Sequence, residues 1–278
     1  DGIRAFCLSR GLGDVYKRQL FDIKDEFFYP RNLGFVVFPF LYTYFIRKNK
    51  LPLSAVLVPL VTTLLAVGYI NFLPEAETSD TLILACIHLP LFLWGMLGFV
   101  YSSANLKDLN KRLSYLNYNG ETIIVGGILI LAGGLLSGIT IGLFELIGLN
   151  ITEVYFQYIV VYGLAAAPLL ATLITQTNPE LVNKVPPIVA KIFSPLVLVM
   201  LLSYLVAIVY AGKDPYNDRD FLLLFNILLI GVMALIFFSV AESYSEKKVG
   251  YMTWILVFLS LTTLLVNGIA LSALSLIH

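Results

Sequence analysis

The sequence predicts an all-α fold, a polytopic transmembrane helix bundle with about eight spans. Hydrophobic residues make up 59% of the chain and charged residues only 13%, whereas a soluble domain is about 45–50% apolar and about 25% charged. Apolar stretches of membrane-spanning length recur along the chain, and the loops between them alternate in charge. The excess of apolar residues therefore indicates a surface that faces lipid.

The prediction of eight spans rests on eight apolar stretches. A transmembrane helix needs about 20 predominantly apolar residues. Seven stretches meet that length, and the first is shorter, which leaves an interfacial position open for it. In chain order, the predicted spans are 32–46, 52–73, 81–101, 122–142, 154–174, 188–210, 221–240 and 251–273.

Basic residues concentrate in every second loop between these spans. Between residues 20 and 273, one set of loops holds ten lysines and arginines and the other holds four. Because cytoplasmic loops carry the excess of such residues, loops 47–50, 102–120, 175–191 and 242–249 are predicted to be cytoplasmic. The zero net charge gives no indication of a nucleic-acid partner. The apolar composition makes the lipid bilayer the expected partner, and further copies of the chain or another membrane protein are possible partners within it.

Both ends of the chain resemble translated sequencing adapter. Residues 14–19 (Asp-Val-Tyr-Lys-Arg-Gln) are what a transposon mosaic end encodes in one frame, and residues 274–278 (Leu-Ser-Leu-Ile-His) are what its reverse complement encodes. Such segments are set aside before the fold is analysed. We therefore expect 1–19 and 274–278 to be adapter-derived and 20–273 to be a single transmembrane domain, truncated at both ends. A genuine charged tail is the alternative for residues 1–19.

Five phrases of the sequence resemble one family. They are Phe-Tyr-Pro-Arg-Asn-Leu-Gly (28–34), Ser-Asp-Thr-Leu-Ile-Leu-Ala-Cys-Ile-His-Leu-Pro (79–90), Thr-Gln-Thr-Asn-Pro (175–179), Ala-Lys-Ile-Phe-Ser-Pro-Leu-Val-Leu-Val-Met (190–200) and Gly-Lys-Asp-Pro-Tyr-Asn-Asp-Arg (212–219). Together they resemble the bacterial membrane proteins grouped as domain of unknown function 4153. The resemblance covers nearly all of residues 20–273. It implies a multi-pass protein of the bacterial inner membrane, and it brings no activity, cofactor or catalytic residue with it.

Two ionisable residues inside predicted spans are the candidate polar sites. His88 is followed by Pro90, whose missing N–H leaves the carbonyl of Cys86 without its helical partner. A titratable ring beside such a break can relay protons or face a cavity, or it can simply hydrogen-bond to a neighbouring helix. Glu145 lies near the outer end of the fourth span, where it can hold a cation or extend to the interface.

Glycines recur along the fourth predicted span. Gly134, Gly138 and Gly142 are four residues apart, so they fall on one face of a helix. A stripe without side chains lets another helix approach closely. The simplest interpretation is packing within the molecule, and the alternatives are a dimer seam or a flexible gating helix.

Two polar loops complete the candidate residues. Asn178 precedes a proline in a cytoplasmic loop, which suits either an ordinary turn or a gate or docking site. Asp214, Asp218 and Asp220 crowd an outer loop with carboxylates that could bind Ca²⁺, but the glycine and the distal glutamate of an EF-hand are lacking. The alternative there is a solvated turn. No pattern predicts a catalytic residue, a metal site or a cofactor.

Three classes of function fit these patterns. Proline within several spans, the glycine-rich helix and His88 favour a permease or transporter-like protein. The scarcity of charge inside the spans favours a non-enzymatic structural, sensory or assembly component of the envelope. A membrane enzyme acting on lipid-linked substrates is the third hypothesis.

Overall fold

A computed structural model describes residues 25–73, 80–177, 185–211, 219–243 and 250–276. Nearly all of these residues are helical, and no strand occurs within these ranges. The all-α prediction is therefore confirmed.

The described residues form eight helices, and each predicted span overlaps one of them. The helices are α1 (Asp25–Asn49), α2 (Leu53–Phe72), α3 (Asp80–Tyr101), α4 (Leu109–Leu146), α5 (Thr152–Thr177), α6 (Val185–Ala211), α7 (Arg219–Ser243) and α8 (Tyr251–Leu276). Hydropathy locates them because each helix contains a long apolar stretch.

Six helices are long and apolar enough to cross a membrane. They are α2, α3, α4, α5, α6 within Pro187–Tyr210 and α8 within Tyr251–Gly268. Helix α7 contributes the shorter apolar stretch Leu224–Val240. Helix α1 carries polar and basic residues at both ends, among them Arg31 and Arg47, so its apolar part is shorter than theirs.

Helix α4 is longer than its predicted span. Its 38 residues extend about 57 Å at 1.5 Å per residue, well beyond a hydrocarbon core about 30 Å thick. The helix begins at Leu109, where the carboxylate of Asp108 accepts hydrogen bonds from the N–H groups of Asn110 (3.0 Å) and Lys111 (3.4 Å). This N-cap starts a polar helical segment that a hydropathy scan does not register.

Helix α5 contains a π-helical segment, Tyr155–Val160, which the sequence did not predict. The N–H of Val161 donates to the carbonyl oxygen of Phe156, five residues earlier. The turn is therefore wider by one residue than in an α-helix.

Contacts divide the chain into two compact units, 1–117 and 118–278, and the division falls within α4. In the first unit, α3 packs against both α1 and α2. The prediction of a single transmembrane domain over 20–273 stays a prediction.

A buried arginine joins α1 to α2 in the first unit. Arg31 is only 2% exposed, and its Nη1 donates to the carbonyl oxygens of Ile70 (3.0 Å) and Leu73 (2.9 Å) at the end of α2. Beside it, the amide groups of Asn32 and Asn71 donate to each other, at 3.2 and 3.1 Å. Because the last carbonyls of a helix lack intrahelical partners, Arg31 caps α2 from the neighbouring helix, and the amide pair adds a second link between the two helices.

Side-chain donors also fix the second half of α3. The hydroxyl of Tyr42 donates to the carbonyl oxygen of Leu93 at 2.7 Å, and that of Tyr115 donates to Trp94 at 2.7 Å. A Cβ on Gly98 would lie only 2.8 Å from Cε1 of Tyr115. The ring of Tyr115 therefore occupies the space that glycine leaves open.

The second unit has its own apolar core. Helix α6 packs against α7 and α8, and the fully buried side chains at this junction include Leu201, Tyr204, Phe225 and Leu259. A smaller cluster joins α4, α5 and α6 through Val125, Leu129, Ala171, Ile174 and Phe193.

Candidate functional site

His88 lies on the surface of α3. Its Nδ1 is 2.8 Å from the carbonyl oxygen of Leu84, one turn earlier. A carbonyl oxygen only accepts, so Nδ1 carries the proton in the neutral ring and Nε2 presents a lone pair. The side chain is exposed and lines a groove of about 570 Å³ between α2 and α3.

Glu145 also lies on a helix surface, in the last turn of α4. Its carbonyl oxygen accepts the N–H of Gly148 at 2.8 Å, and Gly148 has a positive φ of 80°. The carboxylate is thus placed where the helix ends, and it belongs to the second unit whereas His88 belongs to the first.

The glycine stripe on α4 has different surroundings along its length. A Cβ on Gly142 would lie 2.9 Å from Cδ1 of Leu224 on α7. Among the described residues, nothing lies within 4 Å of the corresponding positions on Gly134 and Gly138. Close helix packing is therefore seen at Gly142, and the other two glycines present a bare face of the helix.

The structure describes only one of the candidate residues in the polar loops. Asn178, Asp214 and Asp218 lie outside the described residues, and Asp220 lies in the first turn of α7. Within the described part of the chain, no three His, Cys, Asp or Glu side chains come together as a metal site.

A larger groove than the one at His88 was not predicted from the sequence. It has a volume of about 820 Å³ and lies between α4, α6 and α7 in the second unit. Its walls are almost wholly apolar, and among the described residues Glu121 is the one charged residue that lines it. The apolar lining includes Ile128 and Leu135 from α4, Phe193 from α6 and Leu235 from α7.

Glu121 marks one end of this groove. Along α4 the lining runs from Glu121 to Ile139, a distance of about 27 Å along the axis. The carboxylate is exposed. Near it, the hydroxyl groups of Tyr118 and Thr172 lie 2.8 Å apart, which joins α4 to α5. A signal for this site was present in the sequence, a lone carboxylate at the start of an apolar span, but the walls come from helices far apart in the chain.

Gly231 lies in the wall of the same groove on α7. Among the described residues, nothing lies within 4 Å of the position that its Cβ would take. The absence of a side chain here widens the groove, and any larger residue at this position would reduce its volume.

Fold and surface together define the class of protein. Large apolar side chains are exposed on every described helix, for example Leu65 (67%), Leu131 (75%) and Val209 (84%). Water-soluble monomers rarely expose apolar surface on this scale, whereas a bilayer requires it. The chain is a multi-pass α-helical membrane protein, and the lipid bilayer is its environment. Comparisons with protein-family models, with curated proteins and with solved structures gave no match.

Proposed function

We propose that the chain is a permease-like protein of the bacterial inner membrane whose ligand is a lipid or a lipid-like amphiphile. The observation that carries this proposal is the apolar groove between α4, α6 and α7, with Glu121 at one end. The resemblance to the family of domain of unknown function 4153 supports the inner-membrane location.

The groove has the size and chemistry of an amphiphile site. Its volume of about 820 Å³ falls within the range of roughly 300–1,000 Å³ that small-molecule sites occupy. Apolar walls attract a hydrocarbon chain, since burial of apolar area stabilises by about 25 cal/mol per Å². The carboxylate of Glu121 favours a head group with an amine or a hydroxyl, because it accepts hydrogen bonds and attracts cations.

The positions of His88 and Glu145 favour a lipid ligand over a water-soluble ion as the transported solute. His88 and Glu145 lie on exposed helix surfaces, and neither lines the large groove. A carrier of soluble ions places its ionisable groups toward the bundle interior or a water-filled cavity.

Gly231→Leu is expected to weaken lipid retention at least fivefold. The added side chain would project into the groove, and the overlap with a bound chain costs about 1 kcal/mol or more. Native mass spectrometry of protein extracted from vesicles of phosphatidylethanolamine and phosphatidylglycerol measures the bound lipid directly. Gly134→Leu is the matched control, because it adds the same side chain to an open helix face outside the groove. Equal lipid retention in all three proteins would reject the groove as the site.

Lipid movement tests the permease part of the proposal. In vesicles that contain fluorescent phosphatidylethanolamine, an external quencher reaches only the outer leaflet unless lipid crosses the bilayer. We expect wild-type protein to raise the quenched fraction above that of empty vesicles, and Gly231→Leu to reduce this gain. If the protein binds lipid but does not raise the quenched fraction, the groove remains a lipid site and the permease function is rejected.

A second candidate function is an envelope assembly component. The observation that favours it is the bare face at Gly134 and Gly138, where a helix of another protein or of a second copy could pack closely. In this case Gly134→Leu would remove a co-purifying protein or a dimer that Gly231→Leu leaves intact.

The proposed sidedness has its own test. In a background without Cys7 and Cys86, Lys107→Cys is expected to react with a membrane-impermeant maleimide only after spheroplasts are permeabilised. Asn150→Cys, at an exposed position just beyond the other end of α4, is expected to react without permeabilisation. The reverse pattern would overturn the orientation that the positive-inside rule predicts.

A further inference from the structure

We propose that the groove between α2 and α3 is a second site, and that it binds the ring of an isoprenoid quinol. The groove has a volume of about 570 Å³, and its lining includes Thr62, Tyr69, Leu84, His88 and Phe92. Tyr69, Leu84, His88 and Phe92 are exposed, so the groove opens on the surface of the helices, where a ligand can enter sideways from the bilayer.

The polar groups of this groove are ready to accept hydrogen bonds. In the neutral ring of His88, the bond from Nδ1 to Leu84 leaves the lone pair of Nε2 for a ligand. The hydroxyl of Thr62 donates to the carbonyl oxygen of Val58 at 2.7 Å, so its own oxygen remains an acceptor. A ligand with hydroxyl donors satisfies these atoms, and one with only carbonyl acceptors does not.

The depth of His88 selects the kind of head group. His88 follows Asp80, the first residue of α3, by about 12 Å along the helix axis. Charged phospholipid head groups are held at the interface by the cost of entering hydrocarbon. A neutral ring with hydroxyl groups can reach this depth at a lower cost.

Two aromatic residues give the groove a preference for a ring over a chain. Phe92 lies one turn beyond His88 on the same face of α3, and Tyr69 faces the groove from α2. Aromatic rings pack favourably against one another, at about 0.5–1.5 kcal/mol beyond their buried area. Together with the acceptor on His88, they fit a quinol ring, and the apolar remainder of the groove fits the first part of its isoprenoid tail.

The test is the binding of a radiolabelled short-chain quinol to the full chain in nanodiscs, with empty nanodiscs as background. Under reducing, oxygen-free conditions we expect saturable binding. The corresponding quinone is expected to bind roughly fivefold more weakly, because it lacks the donor for Nε2. His88→Phe keeps an aromatic ring but removes the acceptor on Nε2, so it should reduce quinol affinity roughly fivefold and reduce the preference for quinol over quinone.

Two further variants keep this test decisive. His88→Gln restores an acceptor oxygen and should recover part of the preference for quinol. Leu91→Phe adds an aromatic ring at an exposed position outside the groove and should bind quinol as wild type does. Equal binding of quinol and quinone by wild type would overturn the proposal, as would unchanged quinol binding in a His88→Phe protein that melts at the wild-type temperature. Either result would leave the lipid groove of the second unit untouched.

Discussion

Replacing Arg31 with leucine is expected to lower the melting temperature of the solubilised protein by on the order of 10 °C. The guanidinium is buried and donates to the carbonyl oxygens of Ile70 and Leu73. Its loss removes a cation from the negative end of the helix dipole and leaves two carbonyls unpaired. Charge-assisted hydrogen bonds contribute about 1.5–3 kcal/mol, so a loss of about 3 kcal/mol in the free energy of unfolding follows.

Two further substitutions separate this cap from a general effect of charge. Arg31→Lys keeps the charge but not the planar fork that reaches two acceptors, so its melting temperature should fall between those of wild type and Arg31→Leu. Arg47→Leu removes an exposed arginine from the same helix and should change the melting temperature little. If Arg31→Leu and Arg47→Leu melt at the same temperature, the cap contributes nothing to stability.

Gly98→Leu is expected to destabilise the first unit by about 3 kcal/mol. Even the first carbon of the new side chain would lie 2.8 Å from the Tyr115 ring. The ring cannot easily withdraw, because its hydroxyl donates to Trp94 and it packs against the rings of Trp94 and Tyr101. The thermal unfolding of protein in detergent, followed by circular dichroism, measures this loss.

Gly95 supplies a matched control on the same helix. Among the described residues, nothing lies within 4 Å of the position of its Cβ. Gly95→Ala should therefore raise stability by up to about 1 kcal/mol, the helix-propensity difference between alanine and glycine. Adding Tyr115→Ala to Gly98→Leu should cost less than the sum of the two single changes, because the space for leucine is then open. Strict additivity would contradict the steric explanation.

The positions of the helices could be predicted because membrane hydropathy is a local property of the sequence. Spans predicted at 81–101 and 188–210 match helices Asp80–Tyr101 and Val185–Ala211 closely. The start of α4 was missed for the same reason, because its first turns are polar and Asp108 caps them.

The contacts between helices could not be predicted in this way. Arg31 counts in the sequence only as a base near an outer loop, yet its partners lie 39 and 42 residues further along the chain. The wall of the large groove likewise combines Glu121 with residues of α6 and α7. Nothing local in either segment indicates which distant helix will face it.

The glycine stripe shows what residue spacing can predict about a helix and what it cannot. Four-residue spacing placed Gly134, Gly138 and Gly142 on one face of α4. The spacing did not show what would cover that face, and the structure places Leu224 against Gly142 alone. A periodic pattern defines a face of a helix, whereas the residues that pack against that face depend on the rest of the chain.

The π-helical segment of α5 has a consequence for how this chain can change in length. Tyr155–Val160 holds one residue more than the same turn of an α-helix would need. Deleting a single residue there would restore the ordinary hydrogen-bond pattern and leave the register of the helix on either side as it is. Elsewhere in a spanning helix, a one-residue deletion would rotate all that follows by about 100°. This short segment is therefore a position where sequence length can vary in evolution without turning the helix in its packing.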